Sequence, residues 1–484
     1  MRSGAVWTAL SRVSMQVLQL AASVVLARLL LPEDFGLAAV VTTLAGFVTV
    51  FADFGLSTAI VQRETINERI LATAFWLNVG LNVVLAVIAC LVAAPVAGFF
   101  DMPELENLIY LASPSLLLAL TTVQMGLLRR RFDFRRLGLN ALLKTVVTVA
   151  VSVGGAFAGL GPAALILGPV VATGVATAQL WWFVRWRPAH GPDRESLRQL
   201  WSYSRGLLGF MFVNYWTRNA DNLLVGKVLG AAPLGFYGRA FNLMMIPIIQ
   251  MNAILSTVLT SGLSRVQKDQ AQLGRVWLTS LKLSWLVGAP MSVGLAACAP
   301  ALVETLFGSR WMPMVPVLVL LSLGGPAQLI GSNTGPLFES VGRTGLHFKL
   351  GLVSSVLAIV AIACGLPFGI VGVAAAILIK DWIVIWVILF PALRMAGLRI
   401  GQLFRALAVP AGATATMAGL VLLTAVLVDP LGALPTLALQ VTVGAVTYAV
   451  IILLADRRFL AEVRGGAPAR SSEPTPAAPV SEPL

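Results

Sequence analysis

The chain has 484 residues, of which 58% are apolar and only 11% charged, with a formal net charge of +13. The apolar residues fall in blocks of about 20, the length that crosses a bilayer, which excludes an ordinary soluble domain. The basic residues are dealt out between these blocks instead of gathered on one exposed face, which excludes nucleic acid as a partner.

In chain order the apolar blocks begin near residues 5, 35, 71, 105, 137, 161, 203, 234, 275, 313, 345, 370, 404 and 434. Charged residues, glycine and proline separate them. They predict an all-α polytopic membrane protein of about fourteen transmembrane helices. Arg12 and two glutamines interrupt the first block and no small-residue cleavage site follows it, so it is expected to stay as the first span.

Alternate connections differ sharply in charge. One set holds Arg2, Arg63, Arg69, the run Arg129 to Arg136, the stretch Arg185 to Arg198, Arg265, Lys268, Arg275, Arg343, Lys349, Arg394, Arg399 and Arg405. The other set offers Lys227 and Arg310 and carries Glu33, Asp34, Asp101, Glu104, Glu106 and Asp429. Positive loops stay in the cytoplasm, so a cytoplasmic (inner) membrane protein with both termini cytoplasmic and an even number of spans is expected. Residues 464–484, rich in Pro, Ala, Ser and Gly, cannot bury a core and are expected to be a disordered cytoplasmic tail.

Cys90, Cys298 and Cys364 lie in apolar runs, and His190 and His347 lie in polar connections without metal-ligand spacing. Neither a catalytic residue nor a metal or other cofactor is expected. A Walker A loop is absent from the sequence, so transport is not expected to run on ATP hydrolysis in this chain.

Two stretches repeat. "VLARLLLPEDFGL" recurs as "LVGKVLGAAPLGF" at a constant offset of 199 residues, pairing Arg28 with Lys227, Leu30 with Leu229 and Gly36 with Gly235. "GPAALIL" from Gly161 echoes "GVAAAIL" from Gly372. The expected organisation is two six-helix bundles, residues 1–198 and 199–396, related by the repeat around a central cavity. Two additional helices over 397–463 follow.

Polar residues at membrane depth are costly unless they face protein or water. The first span carries Thr8, Arg12, Gln16, Gln19 and Ser23 at helical spacing, one polar stripe. In the seventh span Tyr215, Arg218 and Asn222 form another, and the offset maps them onto Gln16, Gln19 and Ser23. Either the stripes line the cavity between the bundles, or they join helices within each bundle. The candidate substrate-binding set is Arg12, Gln16, Gln19, Ser23, Lys144, Asn214, Tyr215, Arg218 and Asn222. Asp53 and Asp221 are candidates for ion coupling or gating, with an Arg218–Asp221 ion pair as the structural alternative. Lys144, Arg205, Lys282 and Lys380 can also reach the cytoplasmic interface, and Lys380 and Asp381 adjoin without sharing a helix face. Arginine suits phosphate, and Asn, Gln and Ser suit sugar hydroxyls.

The stretch Ala27 to Val79, "ARLLLPEDFGLAAVVTTLAGFVTVFADFGLSTAIVQRETINERILATAFWLNV", resembles the amino-terminal signature of Wzx-type polysaccharide exporters. "NYWTRNADNLLVGKVLG" followed by "PLGFYGRAFNLMMIP" resembles their middle signature, and the likeness runs over most of residues 1–395. The resemblance implies the multidrug/oligosaccharidyl-lipid/polysaccharide superfamily and alternating access. It also implies an undecaprenyl-diphosphate-linked oligosaccharide as substrate, with a polysaccharide polymerase and export machinery as further partners. The competing reading of the same fold is an ion-coupled multidrug antiporter, whose cavity would favour acidic residues for organic cations. A membrane polymerase or glycosyltransferase would need a catalytic carboxylate, and Glu33 with Asp34 read instead as a helix start.

Overall fold

The computed structural model describes residues 2–456 except 54–55, 63–65, 267–268 and 429–431. The side chains of 2–13, 50, 52–53, 58–59, 62, 199–214, 217–218, 253–262 and 264–265 also lie outside the described residues. The expected tail, 464–484, lies outside them as well.

Among the described residues the chain is helical throughout, without strands. In order come α1 (Arg2–Leu29), α2 (Pro32–Asp53), α3 (Leu56–Gln62), α4 (Glu68–Phe100), α5 (Glu104–Ala112), α6 (Pro114–Leu118) and α7 (Thr122–Arg130). Next are α8 (Phe134–Phe157), α9 (Pro162–Val184), α10 (Arg194–Leu229), α11 (Ala231–Arg265), α12 (Gln270–Ala297) and α13 (Ala299–Leu306). A 3-10 turn at Ser309–Met314 leads to α14 (Val315–Ser340), α15 (Thr344–Gly365), α16 (Gly369–Met395), α17 (Ile400–Val428) and α18 (Ala433–Ala455).

Among the described residues seven helical stretches are long and apolar enough to cross a membrane, and nine if each of two bent pairs counts as one span. Neither number reaches the fourteen spans expected. One continuous apolar stretch, 344–395, folds as two helices, α15 and α16, packed on each other. The protein is a multi-pass membrane protein.

Several helices begin on a carboxylate or amide that accepts their first free backbone N–H groups, the usual remedy for an unsatisfied helix start. Asn67 Oδ1 accepts from Ile70 N at 2.8 Å, Asp133 Oδ1 from Arg136 N at 3.1 Å, and Asp193 Oδ2 from Ser196 N at 2.9 Å. Asp269 Oδ1 accepts from Ala271 N and Gln272 N at 3.0 Å each.

Two spans are broken. α6 and α7 are separated at Ala119–Thr121, and the α5–α7 path bends by 47°. α12 and α13 meet at Cys298 with a bend of 73°. Proline at the first turn of α6 and α13 has no N–H to lose there and so starts a helix readily.

The largest core lies at the end where α1 meets α2. There the fully buried Trp311 packs edge-on against Phe35, centroids 5.2 Å apart, and donates from Nε1 to Ala27 O at 2.8 Å. α2 and α11 cross beside it, backbone against backbone. A Cβ on Gly36 would collide with the Ala231 carbonyl, and one on Gly235 would collide with the Pro32 carbonyl. Shifting either contact by the 199-residue offset produces the other, as a two-fold relation between the halves requires.

The last two helices pack on each other, α17 against α12 and α18 against α13. Tyr448 Oη donates to Leu286 O at 2.5 Å, and Lys282 Nζ pairs with Asp456 Oδ2 at 2.7 Å with little exposure of either side chain. Lys282 is held there by a carboxylate from the end of α18.

Candidate functional site

A cavity of about 630 Å³ lies inside the first half of the chain. Thr49 of α2, Asn78 of α4, Thr122 and Arg129 of α7, Asn140 and Lys144 of α8, and Thr173 and Thr177 of α9 line it with apolar residues between them. The α6–α7 break opens onto it through Ala119 and Thr121. The broken helix leaves carbonyls free, and two side chains accept that role: Thr177 Oγ1 donates to Leu118 O at 2.6 Å and Trp181 Nε1 to Leu120 O at 3.0 Å.

The hydroxyl protons of Thr49, Thr173 and Thr177 are committed to backbone carbonyls. Their oxygens therefore present lone pairs, which suit donors such as sugar hydroxyls. Asn140 likewise gives its Nδ2 to Ala176 O at 2.8 Å and Gln179 Oε1 at 2.9 Å. Lys144 and Arg129 bring two positive charges, and no carboxylate lines the wall among the described residues.

A smaller cavity of about 290 Å³ adjoins Lys144 and is lined by Gln19, Thr145 and Thr148. Lys144 thus stands between the two. It lies ten residues into α8, about 15 Å along the helix.

A third cavity, about 220 Å³, lies between α2, α9 and α11 and includes Phe35, Thr42, Arg239 and Asn242. The Arg239 guanidinium sits 3.8 Å above the Phe35 ring and donates to Ser23 Oγ at 2.9 Å. It joins the second half of the chain to α1 and α2 of the first.

Of the residues expected from the sequence, Gln19 and Lys144 meet at the small cavity, and Ser23 meets Arg239. Gln16 is half-buried on α1. Tyr215 and Asn222 turn toward α2: Tyr215 Oη donates to Thr43 O at 2.5 Å, and Asn222 Nδ2 is 3.5 Å from Thr43 Oγ1. Both therefore join the two halves of the chain. The side chains of Arg12, Asp53, Asn214, Arg205 and Arg218 lie outside the described residues.

Asp221 is buried, accepts from Tyr237 Oη at 2.9 Å through Oδ2 and from Asn222 N at 2.9 Å through Oδ1. Lys380 and Asp381 were expected to diverge as neighbours on a helix. They form an ion pair instead, Nζ to Oδ1 at 2.5 Å, and Gln328 Nε2 donates to Asp381 Oδ2 at 2.8 Å. The long lysine stem folds back because an unpaired charge in this half-buried setting costs more than the bend.

At the α1–α2 end two cations cross between the halves. Arg28 donates to the carbonyls that end α13, Nη2 to Thr305 O at 2.5 Å and Nε to Leu306 O at 3.0 Å. Lys227 pairs with Asp101 Oδ2 at 2.6 Å and lies 5.2 Å from the Phe99 ring centroid. Arg28 and Lys227 are the residues paired by the 199 offset, and each reaches the opposite half, the first through backbone carbonyls and the second through a carboxylate.

The sequence reading missed Arg239. Its cue was an arginine eight residues into the apolar run that opens at Ala231. The cavity within the first half was missed too, because its lining comes from single hydroxyls and amides on separate helices, none of which makes a stripe.

Residues 25–316 match the polysaccharide biosynthesis protein family, more than half of the chain. The chain belongs to that family. It is 29% identical to the lipopolysaccharide biosynthesis protein WzxC of Escherichia coli K12 over 375 residues, 75% of this chain and 74% of that one. It is 26% identical to the succinoglycan biosynthesis transport protein ExoT of Rhizobium meliloti over 485 residues, covering 97% of this chain and 96% of the relative. Its fold is similar to that of the lipid II flippase MurJ in an inward closed conformation, with a TM-score of 0.78 at 16% identity over 94% of this chain and 100% of MurJ. The polytopic helical transporter fold expected from the sequence is therefore the fold of this family member.

Proposed function

We propose that the protein is a flippase for an undecaprenyl-diphosphate-linked oligosaccharide repeat unit, moving it from the cytoplasmic to the periplasmic leaflet for exopolysaccharide, capsule or O-antigen synthesis. The observation that carries this reading is the cavity of about 630 Å³, whose walls offer hydroxyl and amide groups and two cations, in a member of a polysaccharide biosynthesis family. Sugar hydroxyls match the lone pairs and a diphosphate matches Lys144 and Arg129. An organic cation would find no carboxylate in this wall among the described residues.

In this proposal residues 1–198 and 199–396 are two bundles that rock against each other, and 397–463 add two helices docked on the second. The membrane is the inner membrane, both termini are cytoplasmic, and the α1–α2 end is periplasmic, as the charge asymmetry of the connections requires. The cross-links made by Arg28 and Lys227 then hold the periplasmic side shut while the head group is taken up from the cytoplasm. Rocking breaks them and exposes the cavity outward. Arg12, Gln16, Gln19, Ser23, Lys144, Asn214, Tyr215, Arg218 and Asn222 remain the proposed path between the bundles, to which Arg239 is added. Asp53 and Asp221 are the proposed sites of ion coupling. The chain does no covalent chemistry on its cargo, and a polymerase and export machinery act after it.

The test is translocation of a fluorescent undecaprenyl-diphosphate oligosaccharide in proteoliposomes by the intact protein and by Lys144→Ala. Transport that falls in the variant at unchanged thermal stability supports the reading. Efflux of organic cations, with no movement of any lipid-linked sugar, overturns it.

A further inference from the structure

The connection between α7 and α8 has an unusual build. Five arginines, Arg129, Arg130, Arg131, Arg135 and Arg136, surround Phe132-Asp133-Phe134. Phe132 closes α7 in the left-handed region, φ 54°, where glycine is the usual occupant and a bulky side chain is a true outlier. Phe132 N donates to Arg129 O at 3.1 Å and Asp133 N to Leu128 O at 3.0 Å, so the turn is a regular helix terminator made with the wrong residue.

The consequence of that choice is exposure. Phe132 is 77% exposed and Phe134 57%, their rings 6.1 Å apart, both turned away from the protein. Unfavourable backbone conformations persist where they serve a site.

The arginines divide into two groups. Arg136 is held by Phe183 O at 3.1 Å, the Phe183 ring and Asp133, and Arg130 points to Ile60 O at 3.5 Å. Arg129, Arg131 and Arg135 have no side-chain partner among the described residues and are exposed. Arg129 does double duty, because it also lines the large cavity with Lys144 deeper inside.

Resting on the flippase reading above, we infer that this turn is the capture surface for the substrate: Phe132 and Phe134 lodge among the acyl chains of the cytoplasmic leaflet while Arg129, Arg131 and Arg135 bind the diphosphate of the polyprenyl lipid. Aromatic rings favour the interface, and guanidinium groups bind phosphate oxygens in pairs. The occupant is the prenyl diphosphate and not bulk anionic phospholipid, because Arg129 borders a cavity whose hydroxyl oxygens suit a glycan. A phosphate held at the rim delivers its sugars into that cavity. A bulk phospholipid such as phosphatidylglycerol has a single phosphate and no oligosaccharide to fill that cavity.

The experiment uses the full chain in nanodiscs and proteoliposomes, with undecaprenyl diphosphate lacking sugar as the binding probe and phosphatidylglycerol as the comparison lipid. The variants are Arg129, Arg131 and Arg135 replaced together by Lys, which keeps the charge that sets topology but loses the paired contacts, and Phe132→Gly, which relieves the backbone while removing one ring. Undecaprenyl diphosphate affinity is expected to fall about tenfold in the triple Lys variant, with KM for the lipid-linked oligosaccharide rising in step and kcat little changed. Phe132→Gly should raise KM with thermal stability equal or higher. Unchanged KM and affinity in both variants, in a protein whose wild type flips, overturn the capture surface and leave the flippase standing. Equal loss of phosphatidylglycerol and undecaprenyl diphosphate also overturns it, since the turn is then a general anchor. A wild type that flips nothing but binds undecaprenyl diphosphate through these arginines sinks the flippase reading and retains the capture surface.

Discussion

Substituting Gly36 or Gly235 by alanine tests whether the α2–α11 crossing seals the side proposed to be periplasmic. A Cβ on Gly36 meets the Ala231 carbonyl and one on Gly235 meets the Pro32 carbonyl and lies 3.3 Å from Gly36 N, so backbone must move in either case. Forcing a methyl group into such packing costs about 1–3 kcal/mol. At about 1.4 kcal/mol per decade, the closed arrangement loses roughly 5- to 150-fold in population relative to an open one. The two positions face each other, so the double variant should fall short of the sum. A single cysteine at Thr42, which lines the third cavity beside the crossing, reports the opening, once Cys90, Cys298 and Cys364 are replaced by alanine. A membrane-impermeant maleimide added outside should label Cys-substituted position 42 faster in either glycine variant. Equal labelling rates at equal expression and thermal stability would refute the reasoning.

Three further outcomes follow from the geometry. Asp456→Asn removes the carboxylate from the Lys282 pair, in which the lysine side chain is only 15% exposed, and should lower stability in thermal unfolding by at most about 3–5 kcal/mol; joint replacement by Lys282→Met and Asp456→Leu should recover most of the loss. Arg239→Ala removes the cation over Phe35 and the bond to Ser23, and transport should drop while expression holds, with Arg239→Lys only partly restoring it because a point charge lacks the planar contact. Asp193 has its pKa lowered by hydrogen bonds from the Ser196 backbone N–H and hydroxyl. Since the folded value lies below the unfolded one, this cap is in force above the ordinary carboxylate range near pH 4 and is lost as pH falls through the folded value. The protection factor at the first turn of α10, taken relative to the pH-dependent intrinsic exchange rate, should fall on acidification below that range, and identical protection of Asp193→Ala and wild type at neutral pH would refute the cap.

The sequence by itself determined what depends on local pattern. Apolar blocks of bilayer length announce helices, because a backbone in lipid must satisfy its own hydrogen bonds. The basic connections set the expected orientation, and an offset of 199 residues paired Gly36 with Gly235 and Arg28 with Lys227 as equivalents. The stripe on the first span likewise pointed to Gln19, which lines a cavity with Lys144, and to Ser23, which accepts from Arg239.

Tertiary structure decided everything that joins residues far apart in the chain. Arg28 ends on carbonyls at 305 and 306, Lys227 on Asp101, and Lys282 on Asp456. None of these pairings leaves a trace in helical periodicity, which registers neighbours three or four residues away. The large cavity is the same case: Thr49, Asn78, Asn140 and Thr177 are unremarkable one at a time and become a polar wall only when α2, α4, α8 and α9 are packed together. Lys380 and Asp381 show the limit of the helical rule itself, since backbone geometry separates adjacent residues while a long, unpaired lysine can still fold back to its neighbour. Hydropathy fixes which segments enter the membrane, and packing alone fixes which polar atoms find each other there.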